Sequence, residues 1–256
     1  RQPACRPVSR RKIKKSLNFC ETAFLKKIKA DTLSQLSIAV QESIMPTLSF
    51  RAVALRAGIY ILILAGLMQA VLMVDVRRAG TPNLSEISLT EVTQATLLLI
   101  CMALMLIIRQ RYRVLRSVSL LMAAFFAISF VRENDRWLDA YVFDGAWECL
   151  VVLLALPTLA LVIRARRGFL EEFSLIANSL GFGLFAGGFL TTYVFSRLYG
   201  RSELWQALMG EHYLRIVKDA AEEITELAGY SLLFFASVEL LLLARRLRDH
   251  RPSPPA

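Results

Sequence analysis

"TLLLICMALMLII" (residues 96–108) decides the fold class. A helix in water keeps a polar face, so polar residues recur at 3.6 spacing. This stretch holds one Thr, one Cys and no charge, so no helical face of it is wetted. "LLALPTLALVI" (residues 153–163) is equally uniform. Both suit a surrounding of lipid or of other apolar helices. Apolar runs recur at residues 57–74, 92–108, 118–131, 149–163, 173–195 and 227–244. A membrane span takes about 20 mostly apolar residues, within a range of roughly 17–25. The first, fifth and sixth runs meet that length alone, and the second is borderline. The third and fourth need flanking residues such as Leu115, Ala146 and Trp147. The pattern predicts an all-α fold: a polytopic membrane helix bundle of six transmembrane helices in three hairpins. The composition agrees, at 55% hydrophobic with a mean hydropathy of +0.48.

Orientation follows from arginine. Short cytoplasmic loops carry the excess of Lys and Arg. "RQRYRVLR" after the second run holds Arg109, Arg111, Arg113 and Arg116. "RARR" after the fourth holds Arg164, Arg166 and Arg167, and the end of the sixth reads "RRLRDHR". Arg51 and Arg56 before the first run join this side. The alternate loops mix signs, as in Arg197 and Arg201 with Glu203 and Glu211. Both termini are therefore expected in the cytoplasm, with the mixed-charge loops outside. Arg-rich, Lys-poor usage after Met45 fits a GC-rich bacterial gene, hence the bacterial inner (plasma) membrane.

Residues 1–44 differ from the rest. They hold six of the seven lysines and only four of the 24 arginines. Ten cations against Glu21, Asp31 and Glu42 give this stretch +7 of the total +10. Two readings stay open: a segment that is not native to the chain, and a basic arm lying on anionic lipid, where each cation contributes about 1 kcal/mol. In the second, "FLKKIKADTLSQLSIAV" (residues 24–40) forms an interfacial helix. The expected organisation is a basic arm over 1–44, a six-helix transmembrane domain over 45–250 and a disordered tail over 251–256.

The usual catalytic and nucleotide-binding signatures are missing. GxxxxGK[ST], GxSxG and HExxH do not occur, nor does GxGxxG after a strand. Cys5, Cys20, Cys101 and Cys149 form no zinc spacing, and the two histidines, His212 and His250, are too few for a multi-histidine metal centre. No cofactor is expected, and the identity of any bound metal is left open.

Two polar clusters remain. In "KDAAEEITELAGY" (residues 218–230), Asp219, Glu222, Glu223 and Glu226 fall at i, i+3, i+4 and i+7, on one helical face that Tyr230 continues. The bland account is a wetted helix start, where the macrodipole favours acids. In "VRENDRWLDAYVFDGAWECL" (residues 131–150), Arg132 and Arg136 are one turn apart, as are Asp135 and Asp139, beside Glu133; Asp144 and Glu148 repeat that spacing. Both clusters are expected at one depth on one membrane side. If the fourth and sixth spans are neighbours, Asp144, Glu148, Glu222, Glu223 and Glu226 line an outward-facing vestibule, with Arg132 and Arg136 at its rim. Such a vestibule suits a small solute or a cation, or a proton relay. It equally suits an Arg–carboxylate network that locks the bundle.

Three further features are legible. Glu239 interrupts "ASVELLLLARR", where bending to the interface or pairing with Arg246 is the bland expectation. "ANSLGFGLFAGGFLTTY" (residues 177–193) spaces small residues by four, which lets a neighbouring helix approach closely. Pro157 frees a backbone carbonyl within the fourth span.

The expected partners are the lipid bilayer and a small solute or cation, with no nucleic acid. Three classes of function stay open in this order: a transporter or channel, an accessory or scaffold membrane protein, and a membrane-embedded enzyme without a recognisable motif.

Overall fold

The computed structural model describes residues 49–78 and 88–249, with the side chains of 76–78 left out. The expectations for the 1–44 arm and the 251–256 tail lie outside the described residues. The chain divides into units 1–53 and 54–256; of the first, only residues 49–53 are described.

Among the described residues every regular element is a helix. They are α1 (Phe50–Arg78), α2 (Leu89–Ile107), α3 (Arg116–Glu133), α4 (Asp135–Tyr141), α5 (Ala146–Arg164), α6 (Arg166–Ala177), α7 (Leu180–Leu190), α8 (Ser196–Tyr199), α9 (Ser202–Met209) and α10 (Arg215–Asp249). A π-helical turn, Ile108–Tyr112, prolongs α2, and another, Thr191–Phe195, joins α7 to α8. By length and composition α1, α2, α5 and α10 are each able to cross a membrane. Two bent pairs raise the four to as many as six: α3 with α4, bent by 64°, and α6 with Leu180–Tyr199, bent by 95°. These helices fit a membrane-embedded protein.

The fifth apolar run is not one helix, contrary to expectation. It breaks at Asn178–Ser179, where Ser179 Oγ accepts the Phe182 amide at 3.2 Å and starts a new helix. Residues 173–177 instead end α6, an amphipathic helix. Its Phe169, Phe173 and Ile176 share one face, while Arg166, Arg167 and Glu171 are exposed. The third run, residues 118–131, lies wholly within α3. Asn134 terminates α3, its Nδ2 donating to Phe130 O at 2.7 Å. Arg132 and Arg136, expected one turn apart on one helix, therefore lie on two.

Two helix starts, those of α2 and α3, are capped by acids from other helices. Asp75 of α1 takes the amides of Leu89 and Thr90 at 3.0 and 3.1 Å, and the Thr90 hydroxyl at 2.6 Å. Glu172 of α6 takes those of Arg116, Ser117 and Val118 at 2.9, 2.7 and 2.9 Å. Each carboxylate satisfies amides that have no intrahelical partner and sits at the positive end of the macrodipole.

The last helix is the centre of the bundle: 61% of its apolar stretch is buried, against 6% for α1. It packs on α7 and α2, while α3 packs on α2 and α5. The small-residue spacing serves this packing. A Cβ on Gly188 would lie 2.9 Å from Gly229 O, and one on Gly229 would lie 3.1 Å from Gly188 O. Gly183 and Gly187 have nothing within 4 Å and take no part.

Three buried serine hydroxyls answer to their own helices. Ser129, Ser231 and Ser237 each donate to the carbonyl four residues back, at 2.8, 2.8 and 2.9 Å. With no water at membrane depth, this is the cheapest satisfaction open to them.

Glu239 is buried, and its carboxylate meets α1. Arg56 Nη1 lies 3.2 Å from Oε2, and the Tyr60 hydroxyl donates to Oε1 at 2.6 Å. The Tyr60 ring stacks on Phe235 at 4.5 Å. Sequence distance hid these partners, which stand about 180 positions away.

Candidate functional site

The polar residues converge at one end of the bundle, where α3 and the helix through Tyr199 finish and α2 and α10 begin. Arg132 and Glu133 close α3 and pair with each other. The Tyr230 hydroxyl donates to Glu133 Oε1 at 2.6 Å, and Arg132 Nη2 donates to that same hydroxyl at 3.3 Å. The Arg132 guanidinium lies 5.6 Å from the centre of the Tyr193 ring, a cation–π distance. Tyr193 shares a 2.5 Å hydrogen bond with Ser129.

One turn along α10 stands Glu226, 7% exposed. Arg197 Nη2 and Ser196 Oγ donate to its Oε1 at 2.9 and 3.2 Å. Arg132 and Glu133 lie within its electrostatic reach. Arg197 Nη1 also reaches Glu222 Oε1 at 3.2 Å, and Lys218 reaches Glu222 Oε2 at 3.3 Å. Lys218 further pairs with Asp219 at 3.0 Å, and Arg215 with Asp219 at 3.5 Å. Four acids (Glu133, Asp219, Glu222, Glu226) thus face four cations (Arg132, Arg197, Arg215, Lys218). The lysine does more than the partial neutralisation that its place one turn ahead of the acids suggests.

The acidic stripe of α10 serves two neighbours. Glu222 and Glu226 turn to the helix carrying Arg197. Glu223 lies on the other side, within electrostatic reach of Glu91, Asp75 and Arg136. Its backbone carbonyl accepts Gln94 Nε2 at 3.1 Å, tying α10 to α2. Arg136 is spent on Glu91 at 2.8 Å; the arginine is exposed and the glutamate half-buried.

The other predicted residues do not join. Asp135 accepts the adjacent Arg136 amide at the start of α4. Asp139 accepts the Gly145 amide at 3.1 Å and shapes the turn into α5. Asp144 is exposed. Glu148 is exposed too, along an open groove on the outer face of α5 with Cys149, Val152 and Leu153. The expected meeting of Glu148 with the acids of α10 is not made, because α5 packs on α3 rather than beside the last helix. Equal depth put both in one frame; helix order separates them.

Among the described residues, two buried side-chain polar atoms have no hydrogen-bond partner: Arg132 Nε and Thr192 Oγ1. Thr192 sits in the π turn, and an ideal Cβ on Gly229 would lie 2.0 Å from its hydroxyl oxygen. The oxygen therefore lies against the Gly229 Cα, at the range of a Cα–H···O contact. Arg197 entered the sequence reading only as a loop charge, and Tyr193 was not singled out. Their signal was the i, i+3, i+4 spacing of Tyr193, Ser196 and Arg197, which puts the three on one helical face.

Among the described residues no group of three or more His, Cys, Asp or Glu is arranged to hold a metal ion. Comparison with protein-family models, with curated proteins and with solved structures finds no match.

Proposed function

We propose that the chain is a multi-pass protein of a bacterial inner membrane, crossing it six times with the Arg-rich end in the cytoplasm, and that it acts as an accessory or scaffold protein. The Arg clusters at one end and the two bent pairs support the count and orientation. One observation carries the scaffold reading: the Glu226 and Glu133 carboxylates are closed over, Glu226 by Arg197 and Ser196, Glu133 by Arg132 and Tyr230. A closed, charge-balanced network of this kind fixes the order of helices, and Glu223 alone of the α10 stripe stands outside it among the described residues. Breaking one partner of a buried pair costs about 3–5 kcal/mol.

A second reading, solute or ion handling at the same end, is favoured by the unpartnered Arg132 Nε and Thr192 Oγ1, which hold unused hydrogen-bonding capacity.

Proteoliposomes loaded with a pH-sensitive dye separate the two. The scaffold reading expects no protein-dependent proton or sodium flux, a large loss of stability in Glu226→Gln and none in Glu148→Gln. Flux that Glu226→Gln abolishes in a protein of unchanged stability would overturn it in favour of the second.

A further inference from the structure

A cavity of about 240 Å³ lies at the opposite, Arg-rich end. Its lining is wholly apolar and comes from four helices: Leu121 and Phe125 of α3, Phe169 and Phe173 of α6, Phe182 and Phe185 of α7, closed by Leu240 of α10. An apolar cavity of about 150 Å³ already stays dry and takes up benzene. This one is larger, and the half-exposed Phe173 stands at its mouth.

The bend identifies what fills it. The α6 axis turns 95° from Leu180–Tyr199. If the latter crosses the bilayer, α6 lies along its surface, with charged residues in the headgroups and its Phe face about 5–10 Å into the acyl boundary. The cavity under that face then sits where acyl chains begin. Cations ring it. Arg166 and Arg167 open α6 and are exposed, Arg116 opens α3, and Arg109 is held there by a 2.5 Å hydrogen bond to Arg116 O. Of the nearby acids, Glu172 is committed to the α3 amides. Basic pockets between helices at the cytoplasmic face suit anionic headgroups.

We infer that this elbow is a binding site for one anionic phospholipid, its tail in the phenylalanine cavity and its phosphate between Arg166, Arg167 and Arg116. The inference rests on the membrane reading. The site would anchor α6 to the bundle and make the elbow, with the Glu172 cap on α3, sensitive to lipid composition. The phenylalanines extend it inward: Phe125 meets Phe185 at 5.7 Å and Tyr193 at 5.5 Å, so packing at the cavity reaches the ring beneath Arg132.

The test is photolabelling of the full chain in vesicles, using phosphatidylglycerol with a diazirine in its tail, read by peptide mapping. Label is expected on Leu121, Phe125 and Phe182. Leu121→Trp, which fills the cavity, should reduce it at the other two positions, with folding checked by circular dichroism. Arg166→Gln with Arg167→Gln, both at exposed positions, should weaken it about five- to thirtyfold. Phosphatidylcholine carrying the same diazirine should label the cavity far less. Leu153, on the exposed face of α5, reports bulk lipid and should label equally in every variant. Cavity labelling no greater than at Leu153, or equal for the two lipids, would overturn the inference. Loss of label at Leu153 as well would overturn the membrane reading on which it stands.

Discussion

Gly229→Ala tests the closest approach in the bundle. The added methyl would stand 2.0 Å from Thr192 Oγ1, 2.8 Å from Thr192 N and 3.1 Å from Gly188 O. The hydroxyl is able to rotate away, but the amide nitrogen belongs to a π turn and moves only with its backbone. Overpacking of this kind costs about 1–3 kcal/mol. With a backbone atom in the way, the upper end applies, offset by the roughly 0.5–1 kcal/mol that Ala gains over Gly within a helix. A net loss of about 2 kcal/mol is expected. Gly187→Ala is the control, since nothing lies within 4 Å of its Cβ; it should be neutral or stabilising by that propensity difference. Reversible unfolding in mixed micelles, titrated with dodecyl sulfate and followed by circular dichroism, gives both values. Thr192→Ala on the Gly229→Ala background should recover only part of the loss, because the 2.8 Å clash with the amide stays. Equal stability of Gly229→Ala and Gly187→Ala would refute the close contact, and with it the register that sets Arg197 on Glu226.

Two further outcomes are expected from the same assay. Glu172→Ala removes the cap from three amides of α3 and should cost about 1–2 kcal/mol; proteolysis after Arg113 or Arg116 should speed up, and unchanged stability would show the cap to be idle. Tyr60→Phe leaves Glu239 with Arg56 and should cost about 1–2 kcal/mol, whereas Arg56→Gln, which strips a buried carboxylate of its cation, should cost more; the reverse order would mean that the hydroxyl, not the ion pair, holds α1 to α10.

The apolar runs made the long helices legible because lipid imposes one rule on every face of a span. Where that rule stops, the sequence is less direct. The run over 173–195 is apolar enough to cross a membrane, yet it turns at Asn178–Ser179. The signs were present in "RRGFLEEFSLIANS" (residues 166–179): Phe169, Phe173 and Ile176 at helical spacing, Arg and Glu opposite, then an N-cap serine. Hydropathy averaged over about 20 residues erases that pattern, since an interfacial helix followed by a span reads as one long run. Glu172 likewise looks like a loop charge until the fold carries it to the start of α3.

The candidate site divides for a different reason. Sequence spacing reports which residues share a face of one helix, so the stripe from Asp219 to Tyr230 was visible. It does not report which helix stands opposite. Glu148 and Glu226 each lie near the start of an apolar helix, and nothing local tells them apart. What separates them is the neighbour. Thr192 and Gly188 let α10 come close enough for Arg197 to reach Glu226, while Glu148 is left on the outer face of α5. A carboxylate there keeps to the first turn of its helix, where the macrodipole and the interface both tolerate it. Glu239 has no such refuge. It is buried ten residues from the nearer end of α10, which closes at Asp249, and the fold supplies it with an arginine and a tyrosine from α1. Glu226 and Glu239 are thus met by residues far away in sequence, and Glu148, without such a partner, stays at the surface. That sorting follows from the expense of an unpaired charge in an apolar interior, and it is the reason that depth alone was a poor guide to which carboxylates belong together.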